Sequence, residues 1–449
     1  MRLIGFFLLL TAVRAGPIAA QTITLREAIA RAERDGFANR GAAGDSRARA
    51  AEAAASLRGV LPGVRLEGGY MRTTDPLGAF GFLLRQRAVT PEAFDPARLN
   101  YPAAIGNVSA GAIVEQPLFN ADALYGRRAA VRAAAAARAS EAWMRSGTQV
   151  AVISAYYGAV LAHEMVLALD TALASALAHQ RQAESMHRNG VVTRSDALLA
   201  AVRAGEVEAR LIGARSDSSL SGARVALAIG APLDSVRIRA AQLPGVSAIR
   251  ALVAAPLPPP VERSDVQAAR LSLEAARADV RRAAALLLPR INAFGRLDWN
   301  APRAPFGGDH GWTAGVMLSW SPFSGGSELA GTRAAAARRE SARAMAESAE
   351  VEAQLDLRSV ESRTTVALAR MELAERAVAQ SVEAHRIVAR KYEGGVASVT
   401  DLFDAAAAET GARLAFAQSR YEAIMAAAER LRARGGDVTA IVILEDPSQ

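Results

Sequence analysis

The 449-residue chain contains no cysteine. That excludes disulfides, thiolate metal centres and cysteine nucleophiles, and no lipid anchor on an N-terminal cysteine is expected. Beyond residue 20 no stretch offers about twenty uninterrupted apolar residues, the length a spanning helix needs. A chain so built enters a membrane only as β-strands. The net charge is +8 and the pI is near 10.4, but no clustered basic patch with aromatics accompanies it, so no nucleic-acid partner is expected. The five histidines, His163, His179, His187, His310 and His385, have no metal-ligand spacing. No serine sits in a nucleophile elbow. No phosphate loop occurs; Gly325-Gly326 after Pro322 marks a strand-to-helix turn. The sequence therefore predicts neither enzyme chemistry nor a cofactor.

What is present begins with an export signal. Arg2 opens it, residues 3–13 are apolar, and Pro17-Ile18-Ala19-Ala20 offers a cleavage site near Ala20, before Gln21. The rest is a duplication. Gly190 and Gly395 are 395 − 190 = 205 apart, and so are Pro117 and Pro322, 322 − 117 = 205. Leu61-Pro62 and Leu288-Pro289 give 289 − 62 = 227, so the first copy carries 227 − 205 = 22 extra residues between Pro62 and Pro117. We divide the chain into a signal peptide (1–20), a first repeat (21–231), a Pro-rich connector (232–262), a second repeat (263–435) and a tail (436–449).

Each repeat reads as a helix, a strand pair and a long helical hairpin. Residues 24–58 are predicted helical, with Thr24 as cap and Glu27 three residues on. The apolar period then drops to two over 64–71, 108–114, 291–299 and 312–320. These segments are about nine residues long, the length of a tilted membrane strand. Tyr70, Trp299, Trp312 and Trp320 near their ends suit interfacial girdles. Residues 72–107 are expected to be a long loop and 300–311 a short one. Residues 119–187 form a helix of roughly 100 Å at 1.5 Å per residue. Val150, Ile153, Tyr157, Val160 and Leu167 mark its seam, as do Leu368, Met371, Val378, Val382 and His385 in the second copy. A second helix follows over 195–229, a short β-piece is expected at 235–238, and a further helix at 264–288.

The hairpins turn at Gly190-Val191 and Gly395-Val396. Thr193-x-x-Asp196 and Ser398-x-x-Asp401 follow as helix-start signatures. Turn glycines account for Gly190 and Gly395, but Val191 and Val396 have no such structural need. Asp401 and Asp404 are three apart and share a helix face. Four strands cannot close a barrel, and lipid does not tolerate two open edges. The chain must share its barrel with copies of itself, so the sequence predicts a mainly α protein with a membrane β part. The competing reading, a soluble periplasmic coiled-coil adaptor, has long hairpins but no duplicated amphipathic strand pairs. A secreted hydrolase would need a catalytic constellation.

Tyr392-Glu393-x-Gly395 with Asp401-Leu402-Phe403-Asp404-Ala405 resembles the second-repeat tip of the TolC-like outer membrane efflux protein family. The resemblance extends over nearly everything after residue 20. It implies a homotrimer in outer-membrane lipid, with four strands per chain in a twelve-stranded barrel and a helical tunnel in the periplasm. It also implies an efflux or type I secretion duct, a periplasmic adaptor and an inner-membrane transporter as partners, and an entrance closed by inner helices. Asp401 and Asp404 would then form acidic rings at the pore entrance. Tyr392 matches a latch position, and the counterpart of Asp196 can help the latch. Ala397 stands where some members carry a latching arginine. Gly190, Val191, Gly395 and Val396 would dock the adaptor.

Overall fold

The computed structural model describes residues 21–256, 261–304 and 307–445. The expected signal peptide, residues 257–260 of the connector and the last four residues of the tail lie outside the described residues. In chain order the elements are β1 (Gln21–Ile23), α1 (Leu25–Asp35), α2 (Phe37–Ala55), β2 (Gly63–Thr73), α3 (Pro76–Arg85), α4 (Pro96–Asn100), β3 (Ile105–Phe119), α5 (Ala121–Arg188), α6 (Arg194–Ala228), β4 (Val236–Ile238), α7 (Val246–Ala254), α8 (Ser264–Ala285), β5 (Arg290–Ala301), β6 (Asp309–Ser319), α9 (Ser327–Glu393) and α10 (Val399–Ala433).

The duplication holds at element boundaries. The helices α5 and α9 end at Arg188 and Glu393, and α6 and α10 start at Arg194 and Val399; 393 − 188 and 399 − 194 are both 205. Each short hairpin arm has 35 residues. The expected helix over 24–58 instead breaks at Gly36, whose amide bonds back to the Ala32 carbonyl and ends α1. Residues 72–107 are not a bare loop: α3 and α4 form there, each started by an aspartate cap and a proline.

The chain forms two compact units, each drawn from both repeats. One comprises the described residues up to Gly44, Ala139–Val266 and those from Glu350 onward; the other comprises Asp45–Arg138 and Gln267–Ala349. In the first, β1 pairs in parallel with β4, which confirms the β-piece near 235–238. Its core holds Leu25, Ile29, Val152, Ile153, Tyr156, Tyr157, Met371, Ile424 and Ile441. Ile153, Tyr157 and Val160 of the expected seam are fully buried, while Leu167 is exposed. Alanines along α10 let the helices approach closely: Ala423, Ala426, Ala427 and Ala428 are all buried. The helix α5 is apolar enough over one window to cross a membrane by length and composition. Val152, Ile153, Tyr156, Tyr157 and Val160 of α5 are buried in this core, and 39% of the apolar window is buried.

Trp143 braces the same unit. The Arg263 and Arg432 guanidinium carbons stand 4.5 and 3.9 Å from its ring centre, and Arg263 also grips Asp265 and Asp356 at 2.8 and 2.9 Å. Such cation–π contacts contribute about 0.5–2 kcal/mol each.

In the second unit, β2, β3, β5 and β6 form one antiparallel sheet in that order. The end of α3 anchors to it through an amide ladder. Gln86 Nε2 donates to Asn107 Oδ1 at 2.9 Å, and Asn107 Nδ2 donates to Asn300 Oδ1 at 2.8 Å. Buried amides need such partners.

Candidate functional site: a two-faced sheet and two hairpin tips

Cross-strand partners share a face, so the register settles what each face displays. Leu66 pairs with Ala112, Ala112 with Leu297, and Leu297 with Trp312. Val64, Val114, Gly295 and Ala314 form the next row, and Tyr70, Val108 and Ala301 another. The first two rows are apolar across all four strands, with His310 opposite Trp299 in the row beyond, and the edge strands leave the face bare: Leu66 is 79% and Trp312 77% exposed, while Ala110 and Ala301 of the central strands are buried. A soluble sheet would bury such a face.

The opposite face carries Arg65, Glu67, Ser109, Arg296, Asp298 and Thr313. Its charges pair laterally. Arg296 Nε donates to Asp298 Oδ1 at 2.7 Å, and Glu67 lies 3.9 Å from Arg296 and 3.7 Å from Arg65. Phe294, out of step with the apolar alternation, lies on this polar face. A Cβ on its cross-strand partner Gly315 would come within 3.2 Å of the Phe294 ring, so ring and glycine fit one another. Strands β2 and β6 each lack a partner on their outer side among the described residues. Of the expected girdle, Tyr70, Trp312 and Trp320 are exposed, and the Trp320 indole donates to the Leu287 carbonyl at 3.0 Å.

The tips, in the first unit, repeat one backbone solution. The Gly190 amide bonds to the His187 carbonyl and the Val191 amide to Met186; Gly395 bonds to Tyr392 and Val396 to Lys391. Those are Schellman turns. Both glycines are left-handed, at φ 73° and 72°, where a Cβ is strained. The next helix starts with a full capping box in each case. Thr193 and Asp196 exchange bonds of 3.0 and 3.2 Å, and Ser398 and Asp401 bonds of 2.9 and 3.1 Å. Hydrogen bonds from the Ser398 side chain and backbone hold the Asp401 carboxyl below its usual range.

The expected site residues separate into three groups. Val191 and Val396 are exposed, at 62% and 80%. Asp196 and Asp401 are caps, while Asp404, one turn on, is exposed with no cap to make. Tyr392 is buried, 2% exposed, in a cluster with Ala183, Ala200, Val399, Leu402 and Phe403. Its hydroxyl has no hydrogen-bond partner. Burial first, and the charge of Asp196 second, push that hydroxyl's pKa up. Tyr392 is thus a packed aromatic that joins the two tips.

Sequence reading passed over a histidine pair. His179 and His385 meet Nε2 to Nε2 at 3.2 Å, and His385 Nδ1 lies 2.7 Å from Glu409 Oε2. The signal was available: 385 − 179 = 206, within one residue of the repeat offset. No group of three or more potential metal ligands occurs among the described residues.

Residues 261–436 match the family model of the outer membrane efflux protein family. No curated protein matches the chain. Solved structures share its fold. The outer membrane protein VceC of Vibrio cholerae is 20% identical, covering 92% of this chain and 96% of its own, with a TM-score of 0.75. The CmeC outer membrane channel of Campylobacter jejuni is 16% identical over 95% and 90%, with a TM-score of 0.76. The open state of the Neisseria gonorrhoeae MtrE outer membrane channel is 18% identical over 92% and 89%, with a TM-score of 0.70. The resemblance read from the tip motif is borne out, and the fold is one of long helices with a four-stranded β part, as in those channels.

Proposed function

We propose that this chain, with the outer membrane efflux fold and, over residues 261–436, that family's match, is one protomer of a homotrimeric duct. In this reading the protein is an outer-membrane efflux channel, which the family match over residues 261–436 supports; the soluble adaptor reading is not favoured. The observation that carries the trimer is the bare apolar face running across four strands that end in two unpartnered edges. Only further strands satisfy such edges in lipid. Three copies supply twelve, a barrel with its polar face inward. A second bare stripe supports self-association. Leu198, Val202, Ile212, Leu220 and Leu227 of α6 are all exposed. At 100° per residue they fall within an arc of roughly 80°, a seam for a neighbouring copy.

The export signal, cleaved near Ala20, delivers the chain to the periplasm. The duct performs no chemistry. Energy comes from an inner-membrane transporter, and a periplasmic adaptor docks on Gly190, Val191, Gly395 and Val396 to part the inner helices. Bare valines at both turns support that docking. Asp404 lines the entrance with Asp401, and the exposure of both supports that role. The connector at 232–262 joins the two repeats.

The test is a paired substitution in the sheet. Leu66→Arg puts a charge on the apolar face, at about 2–4 kcal/mol near the bilayer midplane. It should abolish assembly in the outer membrane, while Thr313→Arg on the polar face leaves assembly intact. Equal assembly of the two variants would contradict the barrel.

A further inference from the structure

We propose that His179 and His385 form a proton-operated clamp between α5 and α9, closed while the pair shares one added proton or none and released when it takes up two. The role given to the clamp rests on the duct reading above; its operation is measured independently of transport.

The geometry forces the logic. Two ring nitrogens 3.2 Å apart hold together only if one carries a hydrogen and the other offers a lone pair. In the neutral pair, His385 Nδ1–H donates to Glu409, which leaves His385 Nε2 as the acceptor and His179 Nε2–H as the donor. A first added proton settles on the pair beside the Glu409 carboxylate. The Nε2 proton of His179 passes across the bond to His385 Nε2 and the added proton takes its place on His179 at Nδ1, so His385 becomes the imidazolium, its Nε2–H now donates, and His179 again holds one proton. The bond survives with its direction reversed. A second proton places hydrogens on both Nε2 atoms. No acceptor remains, and two like charges face each other.

The surroundings set where this happens. The pair lines a cavity of about 120 Å³ with groups from all four helices. From α5 comes Ser175, whose hydroxyl is 3.3 Å from His179 Nε2. Arg203, Glu206 and Arg210 face in from α6, and Glu409, Thr410 and Arg413 from α10. Arg203 is paired with Glu206 at 2.9 Å, and Arg413 with Glu409 at 2.7 Å. On α9, the Glu393 charge favours a charged His179, but burial first and the His385 charge second outweigh it and hold His179 below the usual histidine value. Burial opposes the charge of Glu409, yet hydrogen bonds from His385 and Arg413 keep it below the usual carboxylate range. Glu409 therefore stays ionised while His179 titrates. The clamp's stabilisation is present at neutral pH and is lost as pH falls through the depressed pKa of His179.

Its place gives the clamp a purpose. His385 is 395 − 385 = 10 residues before Gly395, about 15 Å of helix from the tip. It ties the first hairpin to the second just above the proposed entrance, so acid frees the hairpins to part.

The experiment is hydrogen exchange of the full-length protein in detergent between pH 8 and pH 5, corrected for intrinsic rates, read on peptides spanning 172–192 and 378–398. Wild type should show accelerating exchange toward acid, by up to about tenfold per pH unit for one linked proton. His179→Gln keeps an N–H donor but does not titrate in this range, and its profile should be flat. His187→Gln, at an exposed tip position, should keep the wild-type profile. In Glu409→Gln the acceleration should move to lower pH, because the carboxylate that favours the charged pair is gone. A flat wild type, a His179→Gln profile like wild type, a flat His187→Gln, or a Glu409→Gln midpoint that does not fall would overturn the clamp. None of these outcomes touches the barrel, which is tested by assembly.

Discussion

The two hairpin tips share a backbone and differ in nearly every side chain that matters. Subtracting 205 pairs Tyr392 with His187, Val399 with Arg194, Phe403 with Leu198 and Asp404 with Leu199. Turn, glycine conformation and capping box are the same in both. Yet Tyr392, Val399 and Phe403 are buried, while His187, Arg194 and Leu198 are exposed. The second tip therefore supplies the core of the tip region, and the first contributes Ala183 and Ala200 as a surface to pack on. Duplication kept what the backbone requires. Divergence then made one hairpin the packed member and left the other with an apolar stripe open to a neighbour.

That asymmetry can be broken, and the largest effect should come from its core. Phe403→Ala opens a cavity beneath Tyr392 and should cost the tip about 3–5 kcal/mol. Its counterpart Leu198→Ala should stay within about 0.5 kcal/mol in the isolated protomer. Denaturant titration followed by exchange at the tips separates the two, and equal losses would erase the distinction. Next come the turns, where the tips should behave alike. Gly190→Ala and Gly395→Ala both force a Cβ into the left-handed region and should each cost about 1–2 kcal/mol. A cost at one turn only would mean the shared backbone is not shared in solution.

Smaller still are the acids. Asp401→Asn weakens the capping box and should slightly loosen the tip, whereas Asp404→Asn should leave stability unchanged. Bilayer recordings should show reduced cation selectivity or divalent block for Asp404→Asn; unchanged selectivity and block would remove it from the pore. The pH dependence of the cap has a definite sign. Asp401 is held below its usual range by Ser398, so its contribution is present above that range and fades as pH falls through the depressed value. Exchange at residues 398–402 should quicken only in strong acid, and Asp401→Asn should lose that dependence.

Much of this was legible from spacing. The 205-residue offset located both tips, because turns and caps depend on single residues at fixed positions. Strand segments showed through alternation, though β3 runs to 15 residues where alternation marked seven. The rest depended on contacts between distant segments. The Ser398-x-x-Asp401 spacing already marked Asp401 as part of the helix start with Asp404 one turn beyond it, but what packs around the tips was not local. Phe294 broke the apolar alternation by lying on the polar face, where Gly315 across the strand pair leaves room for its ring. His179 and His385 lack metal-ligand spacing along the chain, and only the packing of α5 against α9 brings their rings together.

The central claim is that four strands per chain become a barrel only by self-association. The direct test is the native mass of the detergent-extracted protein from fractionated membranes. A trimer from the outer-membrane fraction is the predicted result. A monomer in the soluble periplasmic fraction would contradict it, because the apolar face of the sheet would then have to lie bare in water.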